Sequence, residues 1–514
     1  MKKNNIMKTK YIWLLFILIG FTACNDEEDV LLDNNIDTTV EILPALTAGS
    51  ADFSNYVAIG ASFTAGYTDG ALFIASQQNS FPSIMAKQFA KAGGGVFTQP
   101  MMSDNFGGLA IGGTRIAEPR LVFGGAGPLP LEAVIGPVTV STDLVFNNPT
   151  GPFNNMGVPG AKSFHFLSNS YGNIAGVGSF ANPYFVRMAS STTATVLGDA
   201  MAQAPTFFSL SEVGGNDVLA YATSGGSGVD QTGNLNPATY GSNDITDPNV
   251  FAQAFSTLVT TLTSGGAKGV VTNVPNITDL PHFTTVPYNP VPLDADTANA
   301  LNQGYAAYNG GLQQALAALN GTGLFTAEEV AKRTINFSAG TGNALVIIDE
   351  DLTDLGAINP AFAGIPQYRQ ATADDLFVLP LSSLIPQGYG TQIPLEDKWA
   401  LTPEEQTAIQ TATDAYNATI TSVASANGVA IVDLQSVLNQ AASAGITFDD
   451  YILTADLVFG GLASLDGIHL TARGYALMAN KFLEAIDAAY GSNFVASGNA
   501  AKANDFTVMY PAGL

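Results

Sequence analysis

The residues of this chain whose types and spacing best suit chemistry lie near its C-terminus, in the stretch Leu465-Asp466-Gly467-Ile468-His469. The sequence has only three histidines, and this one has an aspartate three residues before it and a helical pattern after it. Within one tight turn, a carboxylate at that spacing can reach the imidazole Nδ1, fix its tautomer and leave Nε2 facing a hydroxyl group. The stretch therefore predicts a general base, His469, that is oriented by Asp466.

The hydroxyl group that such a base would need is predicted at Ser62. The run Tyr56-Val57-Ala58-Ile59-Gly60 reads as a short buried strand, and Ser62 follows its carboxyl end. Asn216 follows a second predicted strand, 206–210, and Pro275 follows a third, 269–274. Because ligands bind at the carboxyl ends of strands in open parallel sheets, we expect these exits to converge.

The elements that must position these residues alternate between helices and strands, which favours an α/β fold with a parallel sheet. The clearest helix start is Thr402-Pro403-Glu404-Glu405, a capping box with proline at the first helical position. The apolar run 376–381 is open to two interpretations, a lid that contacts an acyl group or a buried connection. Further helices are predicted at 81–92, 194–202, 250–262, 301–319 and 471–489, and further strands at 96–98, 345–348 and 429–432.

Together these residues form a constellation suited to acyl transfer. Ser62 would be the nucleophile, and its backbone N–H, that of Gly160 and the Asn216 side-chain amide would stabilise an oxyanion. Gly157 competes with Gly160 for that role, because both lie in the turn 155–161. His165 and His282 are interpreted as packed or surface histidines, and Asp217 as a structural partner.

Four segments in this order resemble the conserved blocks of the SGNH/GDSL hydrolase family. They are Gly60-Ala61-Ser62-Phe63, Val158-Pro159-Gly160-Ala161, Gly214-Gly215-Asn216-Asp217 and Asp466-Gly467-Ile468-His469-Leu470-Thr471. The resemblance spans about Tyr56 to Ala489. It implies a three-layer α/β/α sandwich with a central parallel sheet, flavodoxin-like in outline. It also implies a serine esterase or lipase that forms an acyl-enzyme on acyl lipids or acetylated glycans, without a metal or other cofactor.

The segment around Ser62 departs from the family pattern, which has aspartate where Ala61 stands and leucine where Phe63 stands. In the family that aspartate supports the loop and is not the nucleophile. The departure leaves open a second hypothesis, a weak or inactive relative that binds lipid or glycan at the cell surface. The chain is also longer than the family core, so large loop insertions are predicted at about 103–153 and 276–400.

The amino-acid composition limits which classes of molecule the protein is expected to bind. The chain of 514 residues is 46% apolar, enough for a large core, and its net charge of −25 argues against nucleic acid as a partner. The only cysteine is Cys24, so no disulfide can form within the chain.

The N-terminus is predicted to be a targeting segment. Lys2, Lys3, Lys8 and Lys10 precede an apolar run that ends at Cys24. This pattern resembles a bacterial lipoprotein signal, which would place a lipid-anchored protein at the outer membrane of the cell envelope; the alternative is an uncleaved anchor helix. The acidic run 25–29 resembles a surface-export signal. The predicted divisions are a signal peptide (1–23), a tether (24–53), the hydrolase domain (54–492) and a C-terminal tail (493–514).

Overall fold

The computed structural model describes residues 43–514. The predicted signal peptide, the lipidation site Cys24 and the acidic run 25–29 lie outside the described residues. No helix within residues 43–514 is both long and apolar enough to cross a bilayer.

Five parallel strands form the central sheet, in the order β5-β4-β3-β1-β2. They are β1 (Tyr56–Gly60), β2 (Asn155–Gly157), β3 (Phe207–Ser211), β4 (Lys268–Thr272) and β5 (Ala430–Val432). Every residue of β1 and β3 is buried, as expected for parallel strands that are covered on both faces. The register places Gly60 opposite both Ser211 and Gly157, so three strands end side by side.

Helices connect these strands and pack against the sheet. The main ones are α1 (Ser62–Ala65), α2 (Phe81–Lys91), α3 (Asn216–Thr223), α4 (Pro248–Thr263), α5 (Ala295–Ala318), α6 (Pro403–Ala426), α7 (Leu434–Ser443) and α8 (Ala472–Tyr490). Helix α8 contacts α2, β4 and β5, and α6 contacts α4, α3, β4 and β5. The α/β fold with a parallel sheet is thus confirmed.

Smaller elements fill the long connections. Antiparallel pairs join 109–111 to 114–117, 121–123 to 128–130, 291–293 to 340–343, 346–348 to 368–370, 376–377 to 400–401 and 446–448 to 451–453. Short helices lie at 74–78, 131–135, 183–186, 196–201, 281–284, 327–333 and 355–358. Residues 285–400 enclose apolar clusters of their own, such as the one around Leu345, Phe377 and Leu381.

The capping box predicted at the start of α6 is confirmed, with Thr402 Oγ1 accepting from the Glu405 N–H and the Glu405 carboxylate accepting from the Thr402 N–H. The prediction of a strand at 96–98 is wrong, because that segment has no regular secondary structure. Strand 346–348 forms, but it pairs with 368–370 outside the central sheet. The segment 155–157, interpreted as a turn, is instead the edge strand β2. Within 376–381, Phe377, Val378 and Leu381 are buried, which favours the buried connection over a lid.

Candidate active site

Ser62 is the first residue of α1, directly beyond the end of β1, and its side chain is almost buried. The helix lies against the backbone of β2, because a Cβ atom added to Gly157 would come within 2.3 Å of the Ala65 nitrogen. Gly157 is therefore required for the close approach of β2 to α1. This contact gives Gly157 a packing role, separate from the oxyanion role considered for it.

The carboxylate that holds α1 belongs to Glu212, which directly follows β3, the strand beside β1. Its oxygens accept hydrogen bonds from the Phe63 N–H at 2.7 Å, the Thr64 N–H at 3.0 Å and the Thr64 hydroxyl at 2.8 Å. Ala61, at the N-cap position, makes no side-chain bond to these amides. An aspartate at an N-cap would accept from the same two N–H groups, so Glu212, from the end of β3, supplies the acceptor that Ala61 lacks.

Both the backbone conformation and the burial of Glu212 are energetically unfavourable. Its backbone φ is +59°, a left-handed conformation that is uncommon for a residue with a Cβ atom. Burial raises the pKa of its carboxyl group to about 7, although the hydrogen bonds from Thr64 and Phe63 oppose that shift. Strained backbone and a buried carboxyl group at one position are typical of functional sites.

Asp466 and His469 are paired as the sequence predicted. The Asp466 Oδ2 atom lies 2.8 Å from His469 Nδ1, and 13% of each side chain is exposed. Because a carboxylate at Nδ1 can only accept, Nδ1 carries the proton and Nε2 is left as the basic atom. Gly467 has a φ of +73° in the turn between them, and a Cβ there would lie 2.8 Å from the His282 nitrogen.

Four further donors fix the Asp466 carboxylate. They are the N–H groups of Gly70, Ile468 and His469 and the hydroxyl of Ser464, all at 2.8–3.0 Å. Burial acts to raise the pKa of Asp466, but the His469 charge and these hydrogen bonds outweigh it and hold the pKa well below its ordinary value. The carboxylate therefore stays ionised, which keeps His469 in one orientation.

The loop after α1 packs against the Asp466 turn. Gly70 donates to Asp466, and the Thr68 hydroxyl donates to the Leu470 carbonyl at 2.8 Å. The His469 ring lies 4.6 Å from the Tyr67 ring and 5.8 Å from the Phe63 ring, measured between centroids. The structure thus brings His469 beside the segment that begins at Ser62, across about 400 residues of sequence.

Among residues 43–514, no hydrogen bond joins Ser62 Oγ to the imidazole of His469. In ligand-free enzymes, bonds between a nucleophile and its base are often long and shorten only when substrate binds. Of the predicted set of Ser62, His469 and Asp466, only Asp466 and His469 are directly hydrogen-bonded to each other among the described residues.

The three predicted oxyanion donors are placed at neighbouring strand ends. Asn216 begins α3, and its Nδ2 atom donates to the Ala161 carbonyl at 3.0 Å, which leaves its second N–H available. Gly160 is exposed and has a φ of +78°, and a Cβ there would meet only Asn182, at 3.9 Å. Among the described residues, the backbone N–H groups of Ser62 and Gly160 have no hydrogen-bond acceptor. These N–H groups are free to bind an oxyanion.

Two cavities meet at Asn216. One is narrow, contains about 1020 Å³ of empty space including its mouth, and is lined by Ser62, Asn216, Pro275 and many apolar side chains. The other is wide, contains about 2350 Å³ of empty space including the solvent at its mouth, and is lined by Gly160, Asn216 and a mixture of polar and aromatic side chains. The wall of the narrow cavity includes the three strand exits that the sequence predicts to converge, at Ser62, Asn216 and Pro275.

The other residues singled out in the sequence have structural contacts. His282 is buried, and its Nδ1 atom lies 3.2 Å from the Asp466 carbonyl oxygen, so it packs behind the turn that holds Asp466 and His469. His165 stacks on Tyr171, and burial lowers its pKa to about 3. Asp217 accepts hydrogen bonds from the Ser163 N–H and hydroxyl, which tie α3 to the segment after Gly160.

Sequence reasoning missed Glu212, and it also missed Ser464 and Gly70 as supports of Asp466. Glu212 did leave a signal, since it is a carboxylate between an apolar strand and the glycines before Asn216. Gly70 left none, because its role depends on a contact between segments almost 400 residues apart. Ser464 lies only two residues before Asp466, so its place in the same turn was the available signal.

Three carboxylates lie together away from this site. Oxygen atoms of Glu350, Asp397 and Glu405 are within 4.8 Å of one another, and burial is the first cause that raises the pKa of Asp397 to about 8 and that of Glu405 to about 7. Glu405 also closes the capping box of α6, which gives its carboxylate a structural role. The three residues come from separate segments, so the sequence shows no spacing typical of metal ligands.

An ionised carboxylate, an oriented imidazole, a nearby serine and free amide donors at adjacent strand ends are the parts that acyl transfer requires. Comparisons of the chain with protein-family models, with curated proteins and with solved structures find no match.

Proposed function

We propose that this protein is a serine esterase of the SGNH type that hydrolyses carboxylic esters through an acyl-enzyme. The observation that carries the proposal is the Asp466–His469 pair, held at 2.8 Å and packed against the segment that begins with Ser62. The order of β1 to β5 and the paired helices α2 with α8 and α4 with α6 agree with a three-layer α/β/α sandwich.

The reaction would proceed by two acyl transfers. Ser62 Oγ attacks the ester carbonyl carbon while His469 Nε2 takes the hydroxyl proton, and Asp466 stabilises the imidazolium that forms. The N–H groups of Ser62 and Gly160 and the Asn216 amide bind the carbonyl oxygen as it becomes negative. The proton on Nε2 then leaves with the alcohol, and water repeats the sequence to release the acid and restore Ser62.

Active-site labelling and hydrolysis assays test this function together. A fluorophosphonate should label the wild-type protein at Ser62, and Ser62→Ala should abolish both the label and the hydrolysis of p-nitrophenyl esters of every chain length. A wild-type protein that is neither labelled nor active would contradict the proposal and favour the second hypothesis, a binding protein without turnover. The matched serine control for the labelling is Ser425→Ala, at an exposed position of α6.

We further propose that Cys24 is lipidated and anchors the protein to the outer membrane, with the acidic run 25–29 directing it to the cell surface. The support is the sequence pattern of residues 1–29. Cys24→Ala should release the protein from the membrane fraction, and proteinase added to intact cells should degrade the wild-type protein. Complete protection in intact cells would contradict surface exposure while leaving the anchor in place.

A further inference from the structure

The narrow cavity that opens at Ser62 has an almost entirely apolar wall. Beyond Ser62 and Asn216 it is formed by aliphatic side chains of α7, of α8 and of the segment after β4, among them Leu434, Val437 and Leu438. The one ionisable group on the wall, Glu212, directs its carboxylate to the amides of α1. The interior therefore has almost nothing to bind a polar group.

The wide cavity on the other side of Asn216 differs in both shape and chemistry. It is lined by side chains that can bond hydroxyl groups or stack on rings, including Ser168, Tyr171, Asn182 and Tyr240. The two cavities share Asn216, Leu219 and Ile468, so the predicted oxyanion donor lies at their junction. An ester carbonyl at that junction would have its acyl part on one side and its alcohol part on the other.

A sugar ring in the narrow cavity would lose its bonds to water without finding replacements, which is unfavourable. A linear hydrocarbon chain would lose no hydrogen bonds there and would gain by burial about fourfold in binding for each methylene group, the equivalent of ~0.8 kcal/mol.

We infer that the narrow cavity binds the acyl chain of the substrate, so that the substrates are esters of medium or long fatty acids and not acetyl esters. This inference rests on the proposed esterase function and names its substrate class. The wide cavity is then left for the alcohol part.

The test fills the cavity and measures the preference for chain length. Leu438→Trp places an indole in the cavity, and Asn439→Trp places the same group on the exposed side of α7 as a matched control. Hydrolysis of p-nitrophenyl acetate, octanoate and dodecanoate is compared for both variants and the wild type. Val437→Phe, at a half-buried wall position, is a second variant that disturbs folding less.

For the wild type we expect kcat/KM to rise at least tenfold from acetate to octanoate. Leu438→Trp and Val437→Phe should each lower the ratio of kcat/KM for the long esters to that for acetate by tenfold or more, and Asn439→Trp should leave that ratio unchanged. Ser62-dependent hydrolysis that is fastest on acetate, or a preference that the filled cavity leaves unchanged, would overturn the inference while sustaining the esterase function.

Absence of Ser62-dependent hydrolysis on every ester would instead overturn the proposed function. In that case, displacement of 11-(dansylamino)undecanoic acid by lauric acid decides whether the cavity binds acyl chains. Displacement in the wild type that is lost in Leu438→Trp would support acyl binding without turnover, and equal behaviour of the two proteins would refute it.

Discussion

Each end of the proposed triad is organised around a buried carboxylate, and the two carboxylates are in opposite electrostatic situations. Asp466 faces an imidazole and has a pKa well below the ordinary value, whereas Glu212 has no cationic partner among its hydrogen-bond donors and a pKa of about 7. The base end therefore carries a fixed charge at neutral pH. The nucleophile end rests on a group that titrates near neutrality, so the two ends should respond differently to mutation and to pH.

Removal of either reacting group should have the largest effect and should not distinguish the two ends. We expect Ser62→Ala and His469→Ala each to lower kcat/KM for a p-nitrophenyl ester by about 10³-fold or more, because the nucleophile and its base act as one unit. The double variant should be no worse than either single variant. Additive losses, measured in the same assay, would show that the two side chains act independently.

Asp466→Asn tests the base end. The amide keeps the shape of the side chain but removes the charge, and its NH₂ group cannot accept from the donors around it. We expect a loss of about 10² to 10⁴-fold in kcat, since an analogous change elsewhere costs a catalytic histidine its correct tautomer. The matched control is Asp414→Asn, at an exposed position of α6. Unchanged kcat in Asp466→Asn with wild-type thermal stability would refute the orienting role.

Glu212→Ala tests the nucleophile end and should have a smaller effect on rate. The loss leaves the Phe63 and Thr64 amides of α1 without acceptors, so we expect stability to fall by about 1–3 kcal/mol and kcat by about tenfold. Glu212→Gln retains an acceptor oxygen and should lie between this variant and the wild type. Urea unfolding and ester hydrolysis measure the two effects, and a Glu212→Ala protein that matches the wild type in both would remove Glu212 from the site.

The contrast also explains what the sequence could predict. Asp466 and His469 are three residues apart, so one turn determines their pairing, and the strand exits at Ser62 and Asn216 follow from the rule for parallel sheets. The support of α1 by Glu212 depends on which strand lies beside β1 and on the register between Gly60 and Ser211, which local patterns do not specify. Edge strand β2 was missed for a related reason, since three residues rich in polar and small side chains show no apolar alternation.

The pH dependence of stability should have opposite signs at the two ends. The raised pKa of Glu212 means that the folded protein holds a proton that the unfolded chain releases, so the free energy of unfolding falls as pH rises from about 4.5 through about 7, with a slope of at most about 1.4 kcal/mol per pH unit. The lowered pKa of Asp466 means that its contribution is present above the ordinary pKa and is lost at lower pH. Because Asp397 and Glu405 also have raised pKa values, urea unfolding of Glu212→Gln should show a smaller loss of stability between pH 4.5 and 7 than the wild type, not a complete absence of loss. An unchanged profile would contradict the assignment.

The smallest expected effect comes from replacing Ala61 with the aspartate that the SGNH/GDSL pattern has at this place. In the wild type, Glu212 already occupies the amides that an N-cap aspartate would accept from, so Ala61→Asp should bury a second carboxylate beside it and lower kcat by a few fold. In a Glu212→Ala background the same aspartate can reach the free Phe63 and Thr64 amides, and it should recover part of the lost rate and stability. A double-mutant cycle on hydrolysis and urea unfolding measures this coupling, with Ala61→Asn as the uncharged control. Equal effects of Ala61→Asp in both backgrounds would mean that Glu212 does not take the place of an N-cap aspartate, and the nucleophile end would then be supported by the packing of α1 against Gly157.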